Sequence, residues 1–170
     1  MKRTFLYLAA VLCCLCTLTA CGGDDEPKVT TTATGSYTIT FGTDFFKAAK
    51  HVNIYDKGDN GENKNDVVTE GTTWHKNVTS TKVPAELGFK VVIEPREESE
   101  LTQDVYNIHL TGAISGAVNT GGSFSNTKTF IGLSSVAKSK VLNDLKNHKE
   151  TSYGYKLSKD GNSSTYTPSF

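Results

Sequence analysis

Ser36-Tyr37-Thr38-Ile39-Thr40-Phe41 decides the fold class. Tyr37, Ile39 and Phe41 fall on one side of an extended chain and Ser36, Thr38 and Thr40 on the other, the period of a strand with one buried face. The same alternation recurs downstream. Phe46 to Tyr55 gives a second strand with Val52 and Ile54 inward, although its start at Phe45-Phe46-Lys47-Ala48 also suits a helical turn. Asp56 to Asp66 is crowded with turn formers and reads as a polar loop. Val67 to Ser80 supplies strand material around Trp74 and Val78. Phe89, Val91 and Ile93 mark a strand that Pro95 ends, and Tyr106, Ile108 and Leu110 another between Gln103 and Thr111. Gly121-Gly122 indicates a hairpin or bulge before a strand from Ser123 to Ile131. Tyr153, Tyr155 and Leu157 form the last alternating run.

One stretch departs from the period of two. From Ser134 to His148, Ala137, Val141 and Leu145 recur at every fourth position with Leu142 beside them, which is one face of a helix. Ser134 or Ser135 would cap it, and Lys146, His148 and Lys149 suit its C-terminal end. About seven strands and a single helix exclude an all-parallel sheet, whose crossovers need helices between successive strands. The expected architecture is all-β: an immunoglobulin-like antiparallel β-sandwich with one short helix before the last strand, the alternative being a small closed β-barrel. Residues 35–170 form that single domain, a length sufficient for an independent core.

The N-terminus is built differently. Lys2 and Arg3 precede a short apolar run, Phe5 to Thr19, too short to span a bilayer. Leu18-Thr19-Ala20-Cys21 resembles a bacterial lipobox. The resemblance implies removal of residues 1–20 as a signal peptide, acylation of Cys21, and a membrane partner reached through lipid. Two or more acyl chains give stable anchoring, at about 0.8 kcal/mol per buried CH₂. Residues 21–34 read as a flexible tether, acidic at Asp24, Asp25 and Glu26 and then threonine-rich. Cys-Gly-Gly-Asp-Asp-Glu resembles the acidic signal that sends Bacteroidetes lipoproteins to the outer face of the outer membrane; a periplasm-facing location is the alternative. The whole plan, with Thr73-Trp74-His75-Lys76 and Tyr153-Gly154-Tyr155-Lys156-Leu157-Ser158-Lys159-Asp160-Gly161, resembles small Bacteroidetes lipoproteins of uncharacterised function, a resemblance that carries no catalytic or binding residue.

The remaining cysteines, Cys13, Cys14 and Cys16, all precede Cys21, so the folded part has neither disulfide nor thiolate. Lys2 and Arg3 are the only charges before Cys21, and the chain from Cys21 carries a net charge of −2. That balance gives no footprint for nucleic acid.

Catalytic and metal-binding patterns find little to build on. Asp56, Asp59, Asn60, Glu62 and Asp66 offer oxygen donors for calcium. Counted from Asp56, however, Gly58 and Val67 stand where an EF-hand needs ligands. His51, His75 and His109 all point away from the apolar face without a telling spacing, and the fourth histidine is His148. Gly112-Ala113-Ile114-Ser115-Gly116 places its serine one position late for a nucleophile elbow. No cofactor, metal or catalytic residue is expected, and the reading is a non-enzymatic binding or interaction domain at the cell envelope. A glycan-binding accessory of a polysaccharide-uptake system is one alternative, with Trp74 as the candidate stacking residue, although Trp74 shares the phase of Val78 and so leans toward the core. A structural or adhesin-like subunit of an envelope complex is another; it requires an apolar patch or an unpaired strand edge.

Overall fold

A computed structural model describes residues 30–170. The lipobox residues Leu18, Thr19, Ala20 and Cys21 and the acidic Asp24, Asp25 and Glu26 lie outside the described residues. The described chain runs β1 (Ala33–Phe41), α1 (Phe45–Ala48), β2 (Ala49–Lys57), β3 (Asn63–Val68), β4 (Thr73–Ser80), β5 (Ala85–Pro95), β6 (Val105–Val118), β7 (Ser123–Ala137), α2 (Lys138–Asn147), β8 (Glu150–Leu157) and β9 (Ser163–Thr165), with 3-10 turns at Asp59–Gly61 and Glu98–Glu100. The strands form two antiparallel sheets, one in the order β4-β1-β6-β7 and the other β3-β2-β5-β8-β9. The two sheets share no strand pair, so this is the sandwich and not the barrel.

The alternating residues do what their period requires. Tyr37, Ile39 and Phe41 of β1 and Tyr106, Ile108, Leu110 and Ile114 of β6 meet Val52 and Ile54 of β2, Leu87, Phe89, Val91 and Ile93 of β5 and Leu157 of β8. Each is buried, and the apolar area removed from water, at about 25 cal/mol per Å², holds the two sheets face to face. Tyr37 spans the gap: its hydroxyl donates to the Lys57 carbonyl at 2.6 Å and accepts from the Gly88 amide at 3.2 Å. That satisfied hydroxyl lets a phenol sit in the middle of the core.

Several boundaries differ from expectation, each for a physical reason. β1 starts at Ala33, whose side chain is buried, so the folded part begins inside the threonine-rich stretch assigned to the tether. The Thr32 amide donates to Asn119 Oδ1 at 2.9 Å. β3 begins inside the supposed polar loop, at Asn63, because as an edge strand it needs no apolar alternation. β6 continues to Val118 because Gly112 and Gly116 occupy inward positions where a side chain would not fit. A Cβ at Gly112 would overlap the Phe89 ring, and one at Gly116 would press on Leu87 and Phe124. The apolar phase is therefore completed from the opposite sheet. β7 runs on to Ala137, paired with Val105, and the helix starts only at Lys138. Ser134 and Ser135 belong to β7, and Ala137, expected on the helix face, is the residue before the helix. Val141, Leu142 and Leu145 form the buried face as expected. The helix precedes β8, and a short β9 follows.

At one end of the sandwich two turns touch backbone to backbone. Gly122 (φ +89°) and Gly161 (φ +78°) face each other so closely that a Cβ on either would strike the other. Both adopt the left-handed region that glycine reaches without strain. Thr120 Oγ1 donates to the Lys159 carbonyl at 2.8 Å beside them.

Candidate functional site

The outward face of the four-stranded sheet is a regular surface. Strand register sets its side chains in four rows: Thr79, Thr34, Ala117 and Ser123; Asn77, Ser36, Ser115 and Ser125; His75, Thr38, Ala113 and Thr127; Thr73, Thr40, Thr111 and Thr129. None carries a carboxylate, ammonium, guanidinium or aromatic ring other than the imidazole of His75. Neighbouring strands lie roughly 4.8 Å apart, so hydroxyls recur at short, near-regular intervals over a broad plane. Few of them pair with one another. His75 Nδ1 and Thr38 Oγ1 are 3.1 Å apart, and Thr111 Oγ1 and Thr129 Oγ1 are 3.4 Å apart. Over the first two rows the face dips into an open groove of ≈ 540 Å³, lined by Thr34, Ser36, Asn77, Thr79, Ser115 and Ala117, with Phe124 at its edge. That volume lies within the range of small-ligand sites, about 300–1,000 Å³.

Trp74 is not a free platform. It is half-buried on β4, packs against the core, and its indole N–H donates to Asp66 Oδ2 at 3.2 Å. Lys76 Nζ lies 5.9 Å from its ring centroid. Lys76 also donates to Asp56 Oδ1 at 2.8 Å and reaches Asp66 Oδ2 at 3.4 Å, which ties β4 of one sheet to β2 and β3 of the other. Burial raises the Asp56 carboxyl above its usual range, against the opposing pull of Lys76. Burial also pulls Lys76 down, but the two carboxylates more than offset it and hold the ammonium above its ordinary value.

Half-buried aromatics gather at another edge of the sandwich. Tyr153 and Tyr166 line a pocket of ≈ 360 Å³ with Lys128, Ser152, Thr165 and Thr167. The Tyr153 and Tyr155 hydroxyls are 3.0 Å apart, and burial together with Tyr155 pushes Tyr153 up to about 12. Reading strands singly missed this grouping, because β7 and β8 belong to different sheets.

The candidate calcium donors are already engaged. Asp59 Oδ1 accepts from the Thr79 amide at 2.6 Å, Asn60 Oδ1 accepts from the Thr81 amide at 2.9 Å, and Glu62 pairs with Lys64 at 2.8 Å. His51 lies on the five-stranded sheet, whereas His75 and His109 lie on the four-stranded one. Among the described residues no three His, Cys, Asp or Glu side chains gather as a metal site, and no helix is long and apolar enough to cross a membrane. No family model, curated protein or solved structure matches this chain.

Proposed function

We propose that this chain is a non-enzymatic binding domain of the bacterial cell envelope, held to the outer membrane through acylated Cys21 and presenting the four-stranded sheet to neutral, polyhydroxylated ligands such as uncharged glycan. The observation that carries the binding reading is the uncharged array of threonine and serine hydroxyls with its groove. Such a face offers donors and acceptors at low desolvation cost and gives no electrostatic preference for an anion or a cation. The anchoring reading is supported by Leu18-Thr19-Ala20-Cys21 and the acidic residues after it.

The test has two arms. Protease is applied to intact and to lysed cells expressing the wild type or Cys21→Ala. Surface anchoring predicts digestion on intact cells and loss of membrane attachment in the variant; digestion only after lysis rejects surface display. Purified protein is separately incubated with insoluble neutral and anionic polysaccharides. Retention on a neutral polysaccharide supports the ligand class, and retention on anionic material alone contradicts it.

A second reading, an assembly subunit, is favoured by β7. This 15-residue strand ends the four-stranded sheet, with one side unpaired among the described residues. Its two register irregularities and Lys128 are features that blunt an edge against indiscriminate pairing. Co-purification of a strand-donating envelope partner that is lost on placing proline in β7 would support it.

A further inference from the structure

The binding reading makes no use of Asp56, Lys76 and Asp66, yet their arrangement holds the parts of a condensation. Asp56 projects from β2 into the sandwich, and its side chain is fully shielded from solvent. One oxygen accepts from Lys76 Nζ at 2.8 Å, while the other, Oδ2, has no hydrogen-bond partner among the described residues. A second carboxylate, Asp66, stands 3.4 Å from the same Nζ and is steadied by the Trp74 indole N–H at 3.2 Å. We propose that Lys76 and Asp56 condense into an intramolecular isopeptide bond joining the two sheets, with Asp66 as the proton carrier.

The orphaned oxygen is the first reason. A buried carboxylate with one oxygen unpaired bears a desolvation cost that its pairing with Lys76 offsets only in part. Condensation removes one carboxyl oxygen as water and leaves the other as an amide carbonyl, so the orphan disappears. Position is the second reason. The nucleophile is held against the carboxyl by the fold itself, and well-oriented intramolecular reactions reach effective molarities of ~10⁵–10⁸ M. Asp56, Asp66 and Lys76 sit on β2, β3 and β4, in two different sheets, so the reaction follows folding.

The step balances without an added reagent. A proton passes from the Lys76 ammonium to the Asp56 carboxylate along their hydrogen bond, giving an amine and a carboxylic acid, the form that the dry surroundings of Asp56 favour. Nζ attacks Cγ to form the C–N bond. Asp66 accepts a proton from the nitrogen and returns it to the departing hydroxyl, the C–O bond breaks, and water leaves. Ammonium and carboxylate become one amide and one water, with no change of oxidation state. The chief barrier is the first transfer, since both carboxylates favour the charged lysine.

Peptide mapping of the full wild-type chain is the test. After denaturation and trypsin digestion, the bond predicts a branched peptide in which residues 51–57 are joined to residues 65–82, uncut at Lys76 and lighter by one water than the two pieces together. Linear peptides 51–57 and 65–76, with cleavage after Lys76, overturn the proposal without recourse to any variant. Lys76→Arg and Asp56→Ala should abolish the branched species, and Asp66→Asn should slow its formation in chains whose circular dichroism still reports a folded sheet. An undiminished rate in Asp66→Asn removes Asp66 from the step.

Discussion

The two sheets turn different surfaces outward. The four-stranded sheet shows only small uncharged side chains and a histidine in its four rows. The five-stranded sheet is charged and largely finished by the chain itself. Lys156 pairs with Glu86 at 2.9 Å and Lys90 with Glu150 at 3.7 Å. The C-terminal segment then crosses it. Gly88 and Gly154 are direct cross-strand partners and leave a saddle that Pro168 fills, with Tyr166 against Gly154. Phe170 ends beside Tyr55, with Lys57 Nζ 5.4 Å from its ring centroid. One face is therefore covered by the chain's own C-terminal segment, while on the other few of the hydroxyls pair among the described residues. Among the described residues nothing crosses the four-stranded sheet in the same way, and this contrast supports it as the binding face in the proposed reading.

The comparison breaks altogether if the shared core fails. Phe89 lies against Tyr37, Phe130 and Tyr153, with ring centroids 6.2, 6.4 and 6.2 Å away, and fills the space above Gly112. Phe89→Ala should cost about 3–5 kcal/mol in denaturant unfolding and disorder both faces together. The covered face is tested next. Gly154→Val would press its side chain on the Tyr166 ring and Pro168, both 3.0 Å or less from a Cβ there. A loss of about 1–3 kcal/mol is expected. On the open face, Ser115→Val should stay within about 0.5 kcal/mol of the wild type, because Ser115 lines an open groove among the described residues. Equal losses at the two positions would erase the distinction.

A smaller, pH-dependent effect sharpens the picture at the corner below the open face. Asp44 accepts from Lys47 Nζ at 2.8 Å and from the Asn107 amide at 2.9 Å, and these partners hold its carboxyl below the usual range. A lowered carboxyl stabilises the fold above its unfolded value, and that contribution is lost as the pH falls through the folded value. Asp44→Asn should thus lower stability at neutral pH and flatten the acid side of the stability curve. Asp56 works in the opposite sense. Burial raises its carboxyl, so while it remains a free acid it destabilises the fold as the pH rises through its folded value. Melting Asp56→Asn alongside Asp44→Asn across the acid range separates the two signs.

Much of the sandwich was legible in the sequence because its core strands obey one rule. Tyr37-Ile39-Phe41, Val52-Ile54, Phe89-Val91-Ile93 and Tyr106-Ile108-Leu110 all bury the side chains that alternation assigned inward. The rule fails where a strand's inward position is filled from across the core, as at Gly112 and Gly116, or where an edge strand has little to bury, as in β3. It fails again at residues 134–137, where pairing of Val136 and Ala137 with Tyr106 and Val105 keeps the chain in β7 despite a helical spacing, past an irregularity at Ser135 (φ +53°). The hydroxyl face was hidden for another reason. Its members, Thr34, Ser36, Thr38 and Thr40 among them, are the outward halves of ordinary alternating strands, and only the register of four strands shows that they share one plane. Trp74 drew attention by its rarity, and its sharing of a phase with Val78 correctly pointed it toward the core.

The most direct test of the central claim places one charge on each face and measures binding. Ser115→Arg marks the groove of the four-stranded sheet, and Asn53→Arg marks the outward side of the five-stranded sheet. Affinity for the neutral polysaccharide retained by the wild type is then followed by isothermal titration or, for insoluble material, by depletion isotherms. The account predicts that Ser115→Arg weakens binding at least tenfold, about 1.4 kcal/mol, while Asn53→Arg leaves it unchanged. Full binding by Ser115→Arg together with loss in Asn53→Arg would contradict it.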